Sequence, residues 1–290
     1  MNILILGGNR NFGKLVLNEL LKKNNIIYLV NRNSKREIYK SKKIKHICCD
    51  RKNLYQFKNQ FKNIKFDYVF DNIAYNLKDV KELHKLLAGK IKHYIFTSSV
   101  ITYLNLNDNH EAKELEWNKG KITKKWISEK KYKEIDINYA KNKHKIEKYL
   151  INSRKINSTI LRVPNVIGKP DFSKKTERLI AFQFDNYNKN LKGDNFIQFI
   201  YKPDLVKVII KIIEKKVKDS QIYNVANRKI RIKDFYKRIS KLKKFSKKKY
   251  LPYVSDEFPM PLNSLINCDK IKKNMNINFT SIDKVINSIY

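Results

Sequence analysis

Tyr139 and Lys143 stand four residues apart, a spacing that puts two side chains on one face of a helix. The pairing has a chemical use. An ammonium near a phenol favours the phenolate, drawing a group of reference pKa about 10 toward neutral pH. A phenol tuned in this way can take a proton from a hydroxyl or give one back. Ser98 and Ser99 close an earlier apolar run, His93-Tyr94-Ile95-Phe96-Thr97. A serine hydroxyl there can hydrogen-bond the same reacting oxygen. In a chain with 17 tyrosines the Tyr-x-x-x-Lys spacing also arises by chance. Its place gives it weight: it opens a helix that follows the serine pair and leads into another apolar run at residues 158–162.

A second constellation lies at the amino terminus. Three of the seven glycines fall in Gly7-Gly8-Asn9-Arg10-Asn11-Phe12-Gly13. The stretch follows an apolar run at residues 3–6 and precedes Leu15, Val16, Leu20 and Leu21 at helical spacing. A strand, a tight glycine turn and a helix N-terminus aim backbone N–H groups and the positive end of the helix dipole at an anion such as phosphate. Gly7 suits the turn and Gly13 lets helix and strand approach. Arg10 takes the place of the central glycine of the usual dinucleotide fingerprint. The next strand ends in Asn31-Arg32-Asn33, with Lys35 and Arg36 beyond. An NAD-selective site carries Asp or Glu there; cations suit the extra phosphate of NADP, on which Arg10 can converge, so NADP is favoured over NAD. In Cys49-Asp50-Arg51 a carboxylate can accept from the adenine amino group. Ile73 and Ala74 are small and apolar enough to lie along a dinucleotide. With such a cofactor, proton exchange at Tyr139 can accompany hydride transfer to a nicotinamide.

These residues need a frame. Apolar runs at residues 3–6, 26–30, 44–49, 67–71, 94–97 and 158–162 alternate with helix-periodic segments near 12–23, 54–61, 80–87 and 139–152. The pattern predicts an α/β fold, a Rossmann-like doubly wound parallel sheet whose ligands bind at the carboxyl ends of the strands. At 290 residues the chain is expected to form one large domain, or one with a smaller lobe. No apolar run reaches the roughly 18–20 residues that span a bilayer, and the first reads as a strand rather than a leader. Cys48, Cys49 and Cys268 are too few and too badly spaced for a zinc site, and fit a reducing cytoplasm. The net charge of +37 is extreme, but lysines occur on every segment. Diffuse charge of this kind, with abundant Asn and Ile, fits compositional drift better than a nucleic-acid arm, though it would steer any phosphorylated ligand.

Taken together, the motifs resemble the extended, or atypical, short-chain dehydrogenase/reductases of the NAD-dependent epimerase/dehydratase group, and within it the bacterial relatives of chloroplast stem-loop-binding proteins. The matching pieces are the glycine turn, Val30-Asn31-Arg32, Cys49-Asp50-Arg51, Asp67-Tyr68-Val69-Phe70-Asp71, His93 to Ser99, Tyr139 to Lys143, Leu161 to Gly168, Gln198 to Val206, and Tyr223-Asn224-Val225-Ala226-Asn227. They cover roughly residues 1–230. The resemblance implies a dinucleotide domain over residues 1–164 and a smaller substrate lobe with a carboxyl-terminal tail over 165–290. It implies that Tyr139 is the acid/base, that Lys143 orients the nicotinamide ribose, and that Ser99 steadies the substrate oxygen. The cofactor would lie along Gly7, Gly8, Arg10, Asn11, Phe12, Gly13, Asn31, Arg32, Asp50, Arg51, Ile73, Ala74, Thr97, Ser98, Lys143 and Pro164. Asn165 and Arg178 would join Ser99 and Tyr139 at the substrate. The implied activity is epimerisation or reduction of a nucleotide sugar through transient oxidation of a ring hydroxyl, in a possible homodimer. Dehydration is disfavoured, because Val100-Ile101-Thr102 follows Ser99 where an acid–base pair is needed. The alternative is an RNA-binding protein that keeps the fold, with or without the dinucleotide. Two departures stand out: Arg10, and a long charged stretch over residues 104–138.

Overall fold

Ile3, Leu4, Ile5 and Leu6 are all fully buried, so strand β1 (Asn2–Leu6) meets apolar surroundings on both faces. A central strand of a parallel sheet covered by helices on both sides has this character. The computed structural model describes residues 1–32, 41–103, 110–118, 134–171, 174, 176–178, 196–242 and 265–289. The chain divides into two units. One comprises Met1–Ser99, Asn138–Arg162 and Val206–Tyr223; the other comprises Val100–Ile137, Val163–Leu205 and Asn224–Tyr290.

The first unit is built on a seven-stranded sheet. With strands numbered along the whole chain, β1 is joined by β2 (Ile26–Asn31), β3 (Ile44–Cys48), β4 (Phe66–Asp71), β5 (Ile91–Ser99), β7 (Asn157–Val163) and β11 (Gln221–Asn224). Their order is β11-β7-β5-β4-β1-β2-β3. β1 runs parallel to β2 and β4, β2 to β3, and β4 to β5. The chain therefore winds outward from β1 in both directions, and the crevice at the carboxyl ends of β1 and β4 is the switch point where such sheets take ligands. Helix α1 (Asn11–Leu21) buries Phe12, Val16, Leu17 and Leu20. Helix α2 (Leu77–Leu86) is capped by the Asn76 side chain, which accepts from the Asp79 amide. Helix α3 (Glu134–Ile151) adds Ile146 and Leu150 to a core that includes Leu4, Val69, Tyr94 and Phe96.

The expected strands all form. β5 runs on through the serines, so Ser98 and Ser99 are strand residues. Residues 51–61 form a 3-10 helix from Arg51 to Phe61, because the Asp50 carboxylate accepts from the Lys52 amide and starts the turn early. Helix α3 begins at Glu134, so Tyr139 lies within it rather than opening it.

The second unit holds three short strand pairs. β8 (Asn165–Ile167) lies parallel to β10 (Phe199–Tyr201), β9 (Phe196–Ile197) antiparallel to β12 (Ile230–Arg231), and β6 (Glu111–Ala112) parallel to β13 (Leu265–Ile266). Helix α4 (Lys202–Glu214) starts here and continues into the first unit, followed by α5 (Ile232–Ser240), α6 (Asp269–Met275) and α7 (Ile282–Ile289). Ile167, Phe199, Phe235, Ile239, Val285 and Ile286 form its core. Asp204 ties the unit together: it accepts from the Thr280 amide and hydroxyl and from Asn227. Lys202 is buried, with its ammonium on the carbonyls of Gly168 and Pro170. Among the described residues no helix is long and apolar enough to cross a membrane.

Candidate active site

The glycine turn is held by contact. Gly7 has φ +90, in the left-handed region, and a Cβ on it would stand 2.5 Å from Ile73 Cγ2. A Cβ on Gly13 would stand 2.3 Å from the Gly7 carbonyl oxygen, so helix and turn touch backbone to backbone. The N-cap of α1, Arg10, is extended and makes no side-chain cap, and the first turn carries no acidic residue. A helix end without a cap or a competing carboxylate suits an incoming anion. Asn11 Oδ1 and Thr97 Oγ1 are buried without a hydrogen-bond partner. A dinucleotide's phosphates and ribose hydroxyls match this set of uncapped amides and orphan acceptors.

At the end of β2, Asn31 is buried and its amide donates to Asn9 Oδ1 at 2.8 Å, while its own oxygen stands 3.2 Å from His46 Nε2. Asn31 thereby ties the glycine turn to β2 and β3. The Arg32 side chain is 79% exposed and 3.8 Å from Asp50. Asn33, Lys35 and Arg36 lie outside the described residues. Arg51 points inward: its guanidinium donates to Asp71 at 2.8 Å and stands 3.6 Å from Asp79. Burial works against the ionised Asp71, but the Arg51 guanidinium, the Tyr94 hydroxyl and the Ile73 amide hold its carboxyl below the ordinary range.

Ser99, Tyr139 and Lys143 come together. A side-chain hydrogen bond joins Ser99 to Tyr139. The Lys143 ammonium is buried under the Tyr139 ring, 5.5 Å from its centroid, and donates to the Ala74 and Thr97 carbonyls, each at 2.9 Å. Ala74 follows Ile73, the residue against which Gly7 packs. The turn and the Tyr–Lys pair are thus linked through the loop after β4. Ser98 faces the other way: its hydroxyl donates to Glu147. Glu147 is fully buried and is gripped by Arg162 through Nη2 at 2.6 Å and Nε at 3.1 Å.

One electrostatic expectation is corrected. Lys143 does not draw the Tyr139 phenol down in the protein alone. Burial pushes that hydroxyl above its ordinary range, the neighbouring Tyr75 phenol adds to the rise, and the bond with Ser99 opposes it. Burial likewise pushes Lys143 down from 10.5 to about 8, against the pull of Asp71 and Glu147. A dry pocket disfavours both charged forms, and two of the three ammonium N–H groups are engaged by backbone carbonyls.

Pro164, Asn165 and Arg178 belong to the second unit. Asn165 opens β8 in register with Phe199, and the Arg178 amide donates to the Lys174 carbonyl at 2.9 Å. Three neighbours of the pair escape a reading by spacing between motifs. Tyr75 lies 6.2 Å from the Tyr139 ring. Asp71 acts on Lys143 through space. Glu147 could have been found, since it continues the Tyr139, Lys143 stripe by one more step of four.

Comparison with known proteins agrees with this geometry. A model of the NAD dependent epimerase/dehydratase family matches residues 3–226. The chain belongs to that family. No curated protein sequence matches it. Among solved structures, UDP-glucose 4-epimerase from Thermotoga maritima, crystallised with UDP-glucose, is 16% identical, with a TM-score of 0.71 and coverage of 100% of this chain and 97% of that one. The dTDP-glucose 4,6-dehydratase of Bacillus anthracis, in complex with NAD, is 15% identical, with a TM-score of 0.72 and coverage of 100% and 95%. Vestitone reductase from alfalfa is also 15% identical, with a TM-score of 0.70 and coverage of 99% and 96%. At such identities the likeness establishes a shared fold. It agrees with the sheet order, and this epimerase/dehydratase-family member carries its glycine turn and its Tyr–Lys pair at the carboxyl ends of that sheet.

Proposed function

We propose that the protein is an epimerase or reductase of a nucleotide sugar, working by transient oxidation of a ring hydroxyl with NAD(P). The observation that carries the reading is the position of Lys143. Its ammonium joins the loop that packs on the glycine turn to the residue pair Tyr139 and Ser99. Structures of the same fold include a UDP-glucose epimerase and a dTDP-glucose dehydratase, which supports the choice of substrate class. An oxidised nicotinamide dinucleotide supplies, when bound, a hydride acceptor and a positive charge. The chain's own part is the proton. Tyr139 Oη takes it from the substrate hydroxyl and returns it, and Ser99 Oγ hydrogen-bonds the reacting oxygen. Burial favours the protonated phenol in the protein alone, so Tyr139 can take that proton only where its phenolate is favoured, as the positive charge of a bound oxidised dinucleotide would do. Gly7, Gly8, Gly13 and the amides that open α1 would hold the pyrophosphate, and Lys143 the ribose. NADP is favoured over NAD: Asn31 stands where an acid would, and the exposed Arg32, 3.8 Å from Asp50, can turn to an added phosphate.

The test is turnover of a panel of nucleotide sugars with NAD and NADP, followed by nicotinamide absorbance and by product stereochemistry. Tyr139→Phe is expected to lower kcat by about 10²–10⁴-fold while dinucleotide affinity is kept. Turnover that survives the substitution, or a protein that binds neither dinucleotide, refutes the reading.

A further inference from the structure

Lys143 is enclosed by three aromatic rings. Its Nζ lies 4.6 Å from the centroid of Phe96, 5.4 Å from Tyr75 and 5.5 Å from Tyr139. Phe96 is fully buried in β5, and Tyr139 is half-buried on α3. Tyr75, in the loop after β4, is 58% exposed. The charged groups that act on the ammonium are Asp71 at the end of β4, Glu147 one turn further along α3, and Arg51 at the start of the 3-10 helix.

We propose that Tyr75 is a positioning residue: its ring forms the water-side wall of the Lys143 pocket and keeps the ammonium dry and aimed at the Ala74 and Thr97 carbonyls. The inference rests on the reading of Tyr139 and Lys143 as the proton-handling pair. Phe96 and Tyr139 cannot close that side, because each is held by its own strand or helix. Among the described residues the ring's neighbours are the Tyr139 ring, at 6.2 Å, and the Lys143 ammonium, at 5.4 Å, so its place is over the buried cation. Burial is the largest cause of the fall of Lys143 from 10.5 to about 8; Asp71 and Glu147 oppose it, and Arg51 adds to it. A cation over an exposed ring gains little from the ring face itself. Removing Tyr75 is therefore felt chiefly as water reaching the ammonium.

The experiment is the titration of Lys143 by NMR in protein carrying ε-carbon-labelled lysine, with Lys143→Arg to assign the signal. Tyr75→Ala is expected to move the Lys143 pKa from about 8 toward 10.5. The alkaline limb of the turnover profile should move with it. Tyr75→Phe keeps the ring and is expected to leave both where they are. A Lys143 pKa that stays or falls in Tyr75→Ala overturns the proposal, as does a Tyr75→Phe variant that behaves like Tyr75→Ala. The titration needs no substrate, so the two readings fail separately. Full turnover in Tyr139→Phe sinks the catalytic assignment whatever Lys143 does. Lost turnover there, with Lys143 unmoved in Tyr75→Ala, sinks only the role of Tyr75.

Discussion

Gly13→Ala tests how tightly the phosphate turn is built. The added Cβ would sit 2.3 Å from the Gly7 oxygen, with Gly7 C and Gly8 Cα both at 3.3 Å. The shortest of these must open to at least 3.0 Å, so helix or turn must move by about 0.7 Å. The obstacle is backbone and cannot rotate away. Overpacking of this kind costs roughly 1–3 kcal/mol, and backbone contact places it at the upper end. Alanine returns about 1 kcal/mol of helix propensity. The net loss is about 2 kcal/mol, or roughly 3–4 °C in melting temperature for a protein of this size. Because the displaced group is the turn itself, dinucleotide affinity should fall by about tenfold, ~1.4 kcal/mol. Gly8→Ala is the internal control. Its Cβ meets Leu29 Cδ1 at 2.6 Å and Ile5 Cγ2 at 3.0 Å, both side-chain ends. Side chains can yield, so it should cost clearly less. Thermal melts and fluorescence titration with NAD and NADP give both quantities. The reasoning is refuted if Gly13→Ala melts and binds like the parent, or if Gly8→Ala is the more damaging of the two.

Glu147→Ala should destabilise the protein by about 3–5 kcal/mol in urea titrations, because it leaves the fully buried Arg162 guanidinium without its carboxylate. The double change Glu147→Leu with Arg162→Met should cost less than the single one; a double loss equal to the sum of two singles speaks against the pairing. Burial pushes His93 down to about 4 from 6.5, and pushes His84 to about 4 against the pull of Asp71. The unfolded chain takes up both protons near pH 6.5 and the folded chain only near 4, so stability is full above 6.5 and falls with pH between 6.5 and 4. The fall is up to about 3 kcal/mol per histidine. Denaturation midpoints at stepped pH should show it, and His93→Gln should flatten part of it; a pH-independent midpoint from 6.5 to 4 contradicts this account.

Much of the fold is legible because parallel strands buried on both faces are written as uninterrupted apolar runs, such as Ile3 to Leu6 and Tyr94 to Phe96. The glycine turn is legible because contacts as close as that at Gly13 admit no side chain. The juxtaposition of Tyr139 with Lys143 follows from helical spacing, and that of Ser99 from strand ends meeting at one edge. Other features resist. The start of α3 at Glu134 falls in a charged stretch without an apolar rhythm. β11 is only four residues long and reads as a motif rather than a strand. The inward turn of Arg51 depends on Asp71 and Asp79, which are remote in sequence. The charge state of Tyr139 depends on how dry its surroundings are, a property of the assembled pocket. Arg162 did offer a clue: an arginine inside Thr159-Ile160-Leu161-Arg162-Val163 demands a carboxylate in the core.

The four cations sealed inside the described residues sort by headgroup. Arg51 and Arg162 each face carboxylates. Lys143 and Lys202 each rest on neutral main-chain oxygens. In a chain with 54 lysines and 10 arginines this division does not follow from abundance. A flat fork spans both oxygens of an acid and never gives up its proton. A rounded ammonium fits oxygens converging from separate segments and, lacking an anion in contact, can shed its charge; both lysines are shifted in that direction. Permanent internal charges here brace the scaffold, and the erasable ones stand where strands and turns end.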